Sequence, residues 1–256
     1  MAKRNLTPDQ FARIHGHPGE SSRSAGWFRV LWPVLVAAFL GGYLIRASFP
    51  RPGLSMPTAG LLLLGLGMIT LILITRGEKK LGQFLKGAEG EERMARILSL
   101  LPSRYVVFHG VPSRSWGGGN DIDHVVIGPS GVYAIETKNW SGTVKLENDE
   151  LLYQEAAELG SSSSMKRPDR PPLDQVRHSA RLLEKYVEGA KMPSLSVQPV
   201  LCFASNVFSG GASGAGGVMV CNADRLYGVL TESIESPLSD QAVQALELFL
   251  EGALST

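Results

Sequence analysis

Two stretches near the start of the chain carry no polar rhythm. Trp27 to Ile45 reads WFRVLWPVLVAAFLGGYLI, with Arg29 as its only charge, and Thr58 to Thr75 reads TAGLLLLGLGMITLILIT, with none. A helix needs about 20 apolar residues to cross a bilayer, and roughly 17 at the least. Both stretches reach that length. Neither shows the polar face of a helix that packs on a soluble core. Arg29 sits near one end, where its long side chain can reach the interface. The link between them, RASFPRPGLSMP, is rich in proline and breaks the helix. The pattern predicts a tail over 1–26, a transmembrane hairpin over 27–75 (spans about 27–45 and 58–75), and a separate domain over 76–256. A cleaved signal peptide fits poorly, because the first stretch starts late and a second follows at once.

After residue 76 the pattern changes to short periodic segments. GEERMARILSLL places Met94, Ile97, Leu98 and Leu101 at helical spacing. YVVFHG, DIDHVVIG, GVYAIETK, GTVKLE and ELLYQE are short and rich in β-branched or aromatic residues, as strands are. Pro129-Ser130-Gly131 marks a tight turn. GSSSSMKRPDRPP is a polar, proline-rich loop without core residues. LDQVRHSARLLEKYVEG is an amphipathic helix, with Leu173, Val176, Ala180, Leu183 and Val187 on one face. VQPVLCFAS and GVMVC read as buried strands. The glycine-rich SGGASGAGG between them reads as a flexible loop; it lacks the Lys-Ser/Thr of a P-loop. ADRLYGVLTE and SDQAVQALELFLEG close the domain as helices. The fold class is α/β, with helices around a mixed central sheet, preceded by the two-helix hairpin.

Charge divides the chain. Residues 1–78 hold 8 Lys and Arg against 3 Asp and Glu, and the remainder holds 17 against 21. A protein that coats nucleic acid through broad positive charge is therefore excluded, while an enzyme that touches it locally is not. Cations flank both spans: Lys3, Arg4, Arg13, Arg23 and Arg29 before the first, and Arg76, Lys79, Lys80 and Lys86 after the second. The link carries only Arg46 and Arg51. This places both ends of the hairpin in the cytoplasm of a two-span cell-membrane protein. Cys202 and Cys221 lie apart in the sequence, in apolar surroundings, and read as reduced core residues.

The chemistry concentrates in NDIDHVVIGPSGVYAIETKNWSG. Strand side chains alternate, so Asp121 and Asp123 point one way while His124 points the other. Glu136 and Lys138 share a face of the next strand. If Asp123 faces the same side, two carboxylates and an ammonium group converge at the strand ends. Crowded carboxylates raise one another's pKa unless a cation intervenes. Mg²⁺ or Mn²⁺ suits such oxygen ligands, and metal-assisted phosphodiester hydrolysis uses them. Spacing alone serves solvated, salt-bridged strand residues equally well.

The stretch resembles the NERD (nuclease-related) domain, a branch of the PD-(D/E)xK nucleases with a restriction-endonuclease-like core. GAEGEERMARIL and NDIDHVVIGPSGVYAIETKNWSGTV carry the likeness, with Pro172-Leu173-Asp174-Gln175 matching a helix start; in outline it runs from Gly87 to Val220. The resemblance implies Asp123 and Glu136 as ligands of Mg²⁺ or Mn²⁺, joined by the backbone carbonyl of Thr137. It implies Lys138 as the catalytic lysine, with Glu91 and Gln175 as further site residues. Each has a plainer reading: Glu91 suits a first helical turn, and Gln175 suits a helix start. His124 leaves the Asp123 face and reads as a packed histidine. Trp140 reads as packing a turn more readily than as stacking a base, and Asp121 as a solvated carboxylate. Arg177, Arg181 and Lys185 form a helical stripe that could track a DNA or RNA backbone. Lys166, Arg167 and Arg170 precede it, while Glu184 and Glu188 stand ready to pair with it. The implied function is a membrane-anchored, metal-dependent nuclease. The rivals are a silent nuclease-like module that binds nucleic acid or a protein, and a structural hairpin that docks a partner.

Overall fold

A computed structural model of the chain describes residues 11–47, 56–113, 121–156, 164–189, 195–232 and 238–254. Lys3, Arg4, Arg51 and the run from Gly117 to Asn120 lie outside the described residues. The chain divides into two compact units. One joins the residues before Glu20 to those from Glu89 onward, and the other is Glu20–Ala88.

The second unit is helical. Helix α1 spans Glu20–Ala47, and α2 spans Met56–Leu98. Both apolar stretches thus lie in helices, and both helices are long and apolar enough to cross a membrane. Small residues let them approach. A Cβ on Gly26 would lie 3.0 Å from Leu81 and Phe84, and one on Gly77 would lie 3.3 Å from the Arg29 carbonyl oxygen. The Arg29 guanidinium sits 5.2 Å above the Phe84 ring. Phe28, Leu35, Phe39, Tyr43, Leu61, Leu64 and Leu71 remain exposed.

The other unit is built on a mixed sheet of seven strands. They are β1 (Arg13–His15), β2 (Val106–Val111), β3 (Ile122–Gly128), β4 (Gly131–Lys138), β7 (Val197–Phe203), β8 (Ala212–Ala215) and β9 (Val218–Asn222). Their order is β1-β2-β3-β4-β7-β9-β8. β2, β3 and β4 form an antiparallel meander, whereas β4–β7 and β7–β9 pair in parallel. β5 (Gly142–Glu147) and β6 (Glu150–Glu155) make a separate hairpin. The helices are α3 (Pro172–Gly189), α4 (Ala223–Thr231) and α5 (Asp240–Leu254). The end of α2 and α4 cover one sheet face through Met94, Leu98, Leu226 and Leu230. α3 and α5 cover the other through Ala180, Leu183, Val243 and Leu246. Burial on both faces explains why β3 and β4 read as nearly continuous apolar runs.

Three features depart from the pattern reading. The glycine-rich stretch is no loop: Ala212–Ala215 pairs antiparallel with β9. Its side chains lack strand character, so the backbone makes the strand, with Gly216 and Gly217 at φ +50° and +82° turning the chain as tight hairpins require. The segment before the first apolar stretch is not only a tail, since β1 adds to the sheet edge beside β2. The predicted second span and the GEERMARIL helix are one continuous helix, because no residue between them stops it.

Gly142 shows how tightly the two strands of this hairpin close on each other. It has φ +126°, and a Cβ there would lie 2.1 Å from the Gln154 carbonyl oxygen. Gly142→Ala is expected to cost about 3 kcal/mol or more of stability. A thermal melt of the variant against the parent checks this.

Candidate metal centre

The site is assembled where β3 begins and β4 ends. His124 pairs with Ile135 in register, so Asp123 lies opposite Glu136 and on the same face. Glu136 and Lys138, two residues apart, share that face. Alternation thus brings the three predicted groups together. Glu136 is buried, whereas Asp123 and Lys138 are half-buried. α3 lies over β4 and β7 and delivers Gln175 to Glu136.

The hydrogen bonds are specific. Asp123 Oδ2 accepts the Thr137 N–H at 2.7 Å. Lys138 Nζ donates to Glu136 Oε1 at 2.6 Å and to Gln175 Oε1 at 3.2 Å. Gln175 Nε2 donates to the same Glu136 oxygen at 2.6 Å. Among the described residues, Asp123 Oδ1 and Glu136 Oε2 take no hydrogen bond. Each carboxylate therefore keeps one oxygen uncommitted. That fits a hard divalent cation, which takes one or two carboxylates and completes its shell with water and phosphate.

Electrostatics agree with the geometry. Burial, then the charges of Glu136 and Glu91, push the Asp123 carboxyl well above the usual range; Lys138 and the Thr137 N–H pull only partly back. Burial lowers the Lys138 pKa, but Glu136, Asp123 and Glu91 outweigh it, so the net movement is upward and the group stays an ammonium ion. Once both are ionised, two carboxylates facing one lysine carry an excess of negative charge that a cation would offset.

Glu91 joins this field from α2 and is itself buried. Its neighbour Gly90 explains the Gly-Glu pair in the sequence. A Cβ at Gly90 would fall 2.7 Å from the Asn139 Cβ and 3.5 Å from that of Ala204. Glycine lets the helix reach the end of β4, where Ala204 N–H donates to the Lys138 carbonyl oxygen. Gly90→Ala is expected to force Asn139 away, lowering stability by about 1–3 kcal/mol. Chemical denaturation of the variant checks this.

The remaining predicted residues lie in and around this site. The Thr137 Oγ1 is buried without a hydrogen-bond partner among the described residues. His124 leaves the site, and its Nδ1 lies 2.8 Å from the Nδ1 of His109 inside the core. Burial lowers both imidazoles, that of His109 to about 4. Trp140 packs a turn, tilted against Tyr153 and Phe203 with centroids 4.7 and 5.6 Å away. In the basic stripe, Arg177 is engaged by the protein. It pairs with Asp174 at 2.8 Å and donates to the carbonyl oxygens of Ala215 and Gly216. Arg181 and Lys185 stay exposed on α3. Glu184 does not pair with them, because its Oε1 accepts the Val197 N–H at 2.8 Å.

A second polar cluster escaped the sequence reading. His15, Glu247 and Glu251 bring potential ligand atoms within 4.8 Å of one another. The His15 ring bridges the two carboxylates at 3.1 Å each. Arg13 already holds Glu247 at 2.8 Å. The Glu247–Glu251 spacing was visible as a helical pair, but its partner comes from a strand over 230 residues earlier.

Comparison with known proteins gives three findings. Residues 86–204 match the family described as NERD, the nuclease-related domain. An uncharacterized protein of Bacillus anthracis is 43% identical over 61 residues, which cover 23% of this chain and 29% of that protein. The chain thus spans under a third of that relative. No solved structure matches.

Proposed function

With a nuclease-related domain over residues 86–204 as the premise, we propose that the chain is a membrane-anchored, divalent-metal-dependent nuclease acting on DNA or RNA phosphodiesters. The single observation that carries this is the uncommitted oxygen on each of two facing carboxylates, beside a lysine held as an ammonium ion.

Asp123 and Glu136 would hold Mg²⁺ or Mn²⁺, with the Thr137 carbonyl as a further oxygen. Such an ion lowers the pKa of bound water and neutralises phosphate charge. The chain's own groups divide the remaining work. Lys138 keeps its proton, so it acts as a donor and a fixed positive charge rather than as a base. It can orient the attacking water and stabilise the charge that builds on the phosphate oxygens. Gln175 locks the Glu136 oxygen and the lysine into one arrangement. Glu91 adds negative charge that favours cation binding. Arg181 and Lys185 offer exposed positive charge for the sugar-phosphate backbone.

The membrane reading rests on α1, α2 and their exposed apolar side chains, a surface that water disfavours. Residues Arg13–His15 pair with β2 in the soluble sheet, which supports an even number of crossings between them. The cation count around the spans favours the cytoplasm for both ends.

The test uses purified full chain in detergent, incubated with single- and double-stranded DNA and RNA in Mg²⁺, Mn²⁺ or EDTA. Metal-dependent cleavage of any of these supports the proposal. A folded chain that cleaves none of them, with or without metal, moves the assignment to a silent binding module.

A further inference from the structure

Residues 11–19 precede both apolar helices and lie outside the matched family range, yet they are built into the nuclease-related unit. The Ala12 N–H donates to the Leu101 carbonyl oxygen, and the Arg13 N–H to that of Tyr105. β1 then runs parallel to β2, from Arg13 opposite Val106 to His15 opposite Phe108. Side chains fix the same segment. Arg13 grips both oxygens of Glu247, and the His15 ring stacks on Phe108 at 4.7 Å. Gly16 has φ +79°, and a Cβ there would lie 2.3 Å from the His109 carbonyl oxygen. The segment is therefore pressed onto the domain over its whole length.

It ends at the metal centre. The Gly19 N–H donates to Glu91 Oε2 at 2.9 Å in a buried setting. Gly19 has φ +73°, a conformation that glycine adopts without strain, and this directs its amide. Glu91 has several rotamers, and a buried carboxylate is costly unless donors fix it. Charge-assisted bonds of this kind are short and directional. We infer that residues 11–19 form a strap whose last amide, Gly19 N–H, positions the Glu91 carboxylate toward Asp123 and Lys138. The inference rests on the reading of those residues as a metal centre. Gly19 is a positioning residue and Arg13 anchors the strap that carries it. A fragment starting after the second apolar stretch would lack both. It would expose the edge of β2 and leave Glu91 without this donor.

The test uses full chain in detergent, labelled with ¹⁵N-glycine. The Gly19 amide should exchange with solvent at least about tenfold more slowly in the parent than in Glu91→Ala, with the Gly131 amide of β4 unchanged. In Mn²⁺ titrations, Arg13→Glu should weaken binding about tenfold, as loss of a residue that orients a metal site does. The same change should have no further effect in a Glu91→Ala background, and Glu247→Arg should rescue it. Gly19 exchange insensitive to Glu91→Ala would overturn the strap. So would an Arg13→Glu effect of equal size with and without Glu91, which would mark a merely structural role. A parent chain that binds no Mn²⁺ would sink the metal reading instead, and Gly19 exchange alone would then decide the strap.

Discussion

Lys138→Ala is expected to lower the cleavage rate by about 10²–10³-fold while Mn²⁺ binding is kept or tightened. The two effects separate because Lys138 plays two parts. In the proposed chemical step its ammonium group would supply positive charge and a hydrogen-bond donor near the phosphate. Before that step it competes with a metal for Glu136, whose Oε1 it holds at 2.6 Å. Removing the lysine takes away the first part and relieves the second. The metal-free variant should also be less stable, since two facing carboxylates lose their counter-charge. Because the Lys138 side chain is 21% exposed, water offsets part of that loss, leaving on the order of 1–2 kcal/mol. Saturating Mn²⁺ should restore it. Single-turnover cleavage and calorimetric Mn²⁺ titration on the same preparations check both halves. An unchanged cleavage rate would remove Lys138 from the chemistry.

Asp123→Asn should act in the opposite direction on stability. Asp123 is pushed well above the ordinary carboxylate range by burial and by Glu136 and Glu91. A carboxyl whose folded pKa is raised contributes stability that is fully present below its unfolded value of about 4. That stability is lost as pH rises through the raised folded value. The metal-free parent should therefore lose stability as pH climbs from about 4 through that value. Asp123→Asn keeps an acceptor for the Thr137 N–H but cannot ionise. It should melt higher than the metal-free parent at neutral pH, by on the order of 1 kcal/mol, and should flatten this pH dependence. It should also lose stabilisation by Mn²⁺, which in the parent is about 2.7 kcal/mol at 100 times the dissociation constant. Metal binding by the parent should strengthen with pH over the same window, because the ligand must be deprotonated. Thermal melts across pH, with and without Mn²⁺, read all of these.

Much of the fold and the site was legible because local pattern and tertiary role agree there. The DIDHVVIG and GVYAIETK strands carry their own β-branched signal, and their tight turn fixes the register that sets Asp123 opposite Glu136. Alternation then dictated that His124 leave the site, and it does. Gln175 opens an amphipathic helix whose apolar face must pack on the sheet, so its arrival at Glu136 follows from the helix start. What stayed hidden depends on distant pairing. β1 is three residues long, and its partner lies about 90 residues later, beyond two apolar helices. Its only sequence trace was indirect: YVVFHG is buried on both faces and needs a neighbour at each edge. β8 has no side-chain signature, because Ala212–Ala215 contains no β-branched or aromatic residue. The meeting of the His109 and His124 rings in the core is likewise a matter of register. Arg177 was legible as a cation but not as a brace for the Ala215–Gly216 turn, since that turn was not itself foreseen.

The position of a bound ion decides whether Asp123 and Glu136 form a metal centre. Crystals of the full chain grown with Mn²⁺ would locate the metal by its anomalous scattering. A peak is expected within about 2.1 Å of one oxygen from each of Asp123 and Glu136. A peak held by His15, Glu247 and Glu251 alone, or none at saturating Mn²⁺, would contradict it.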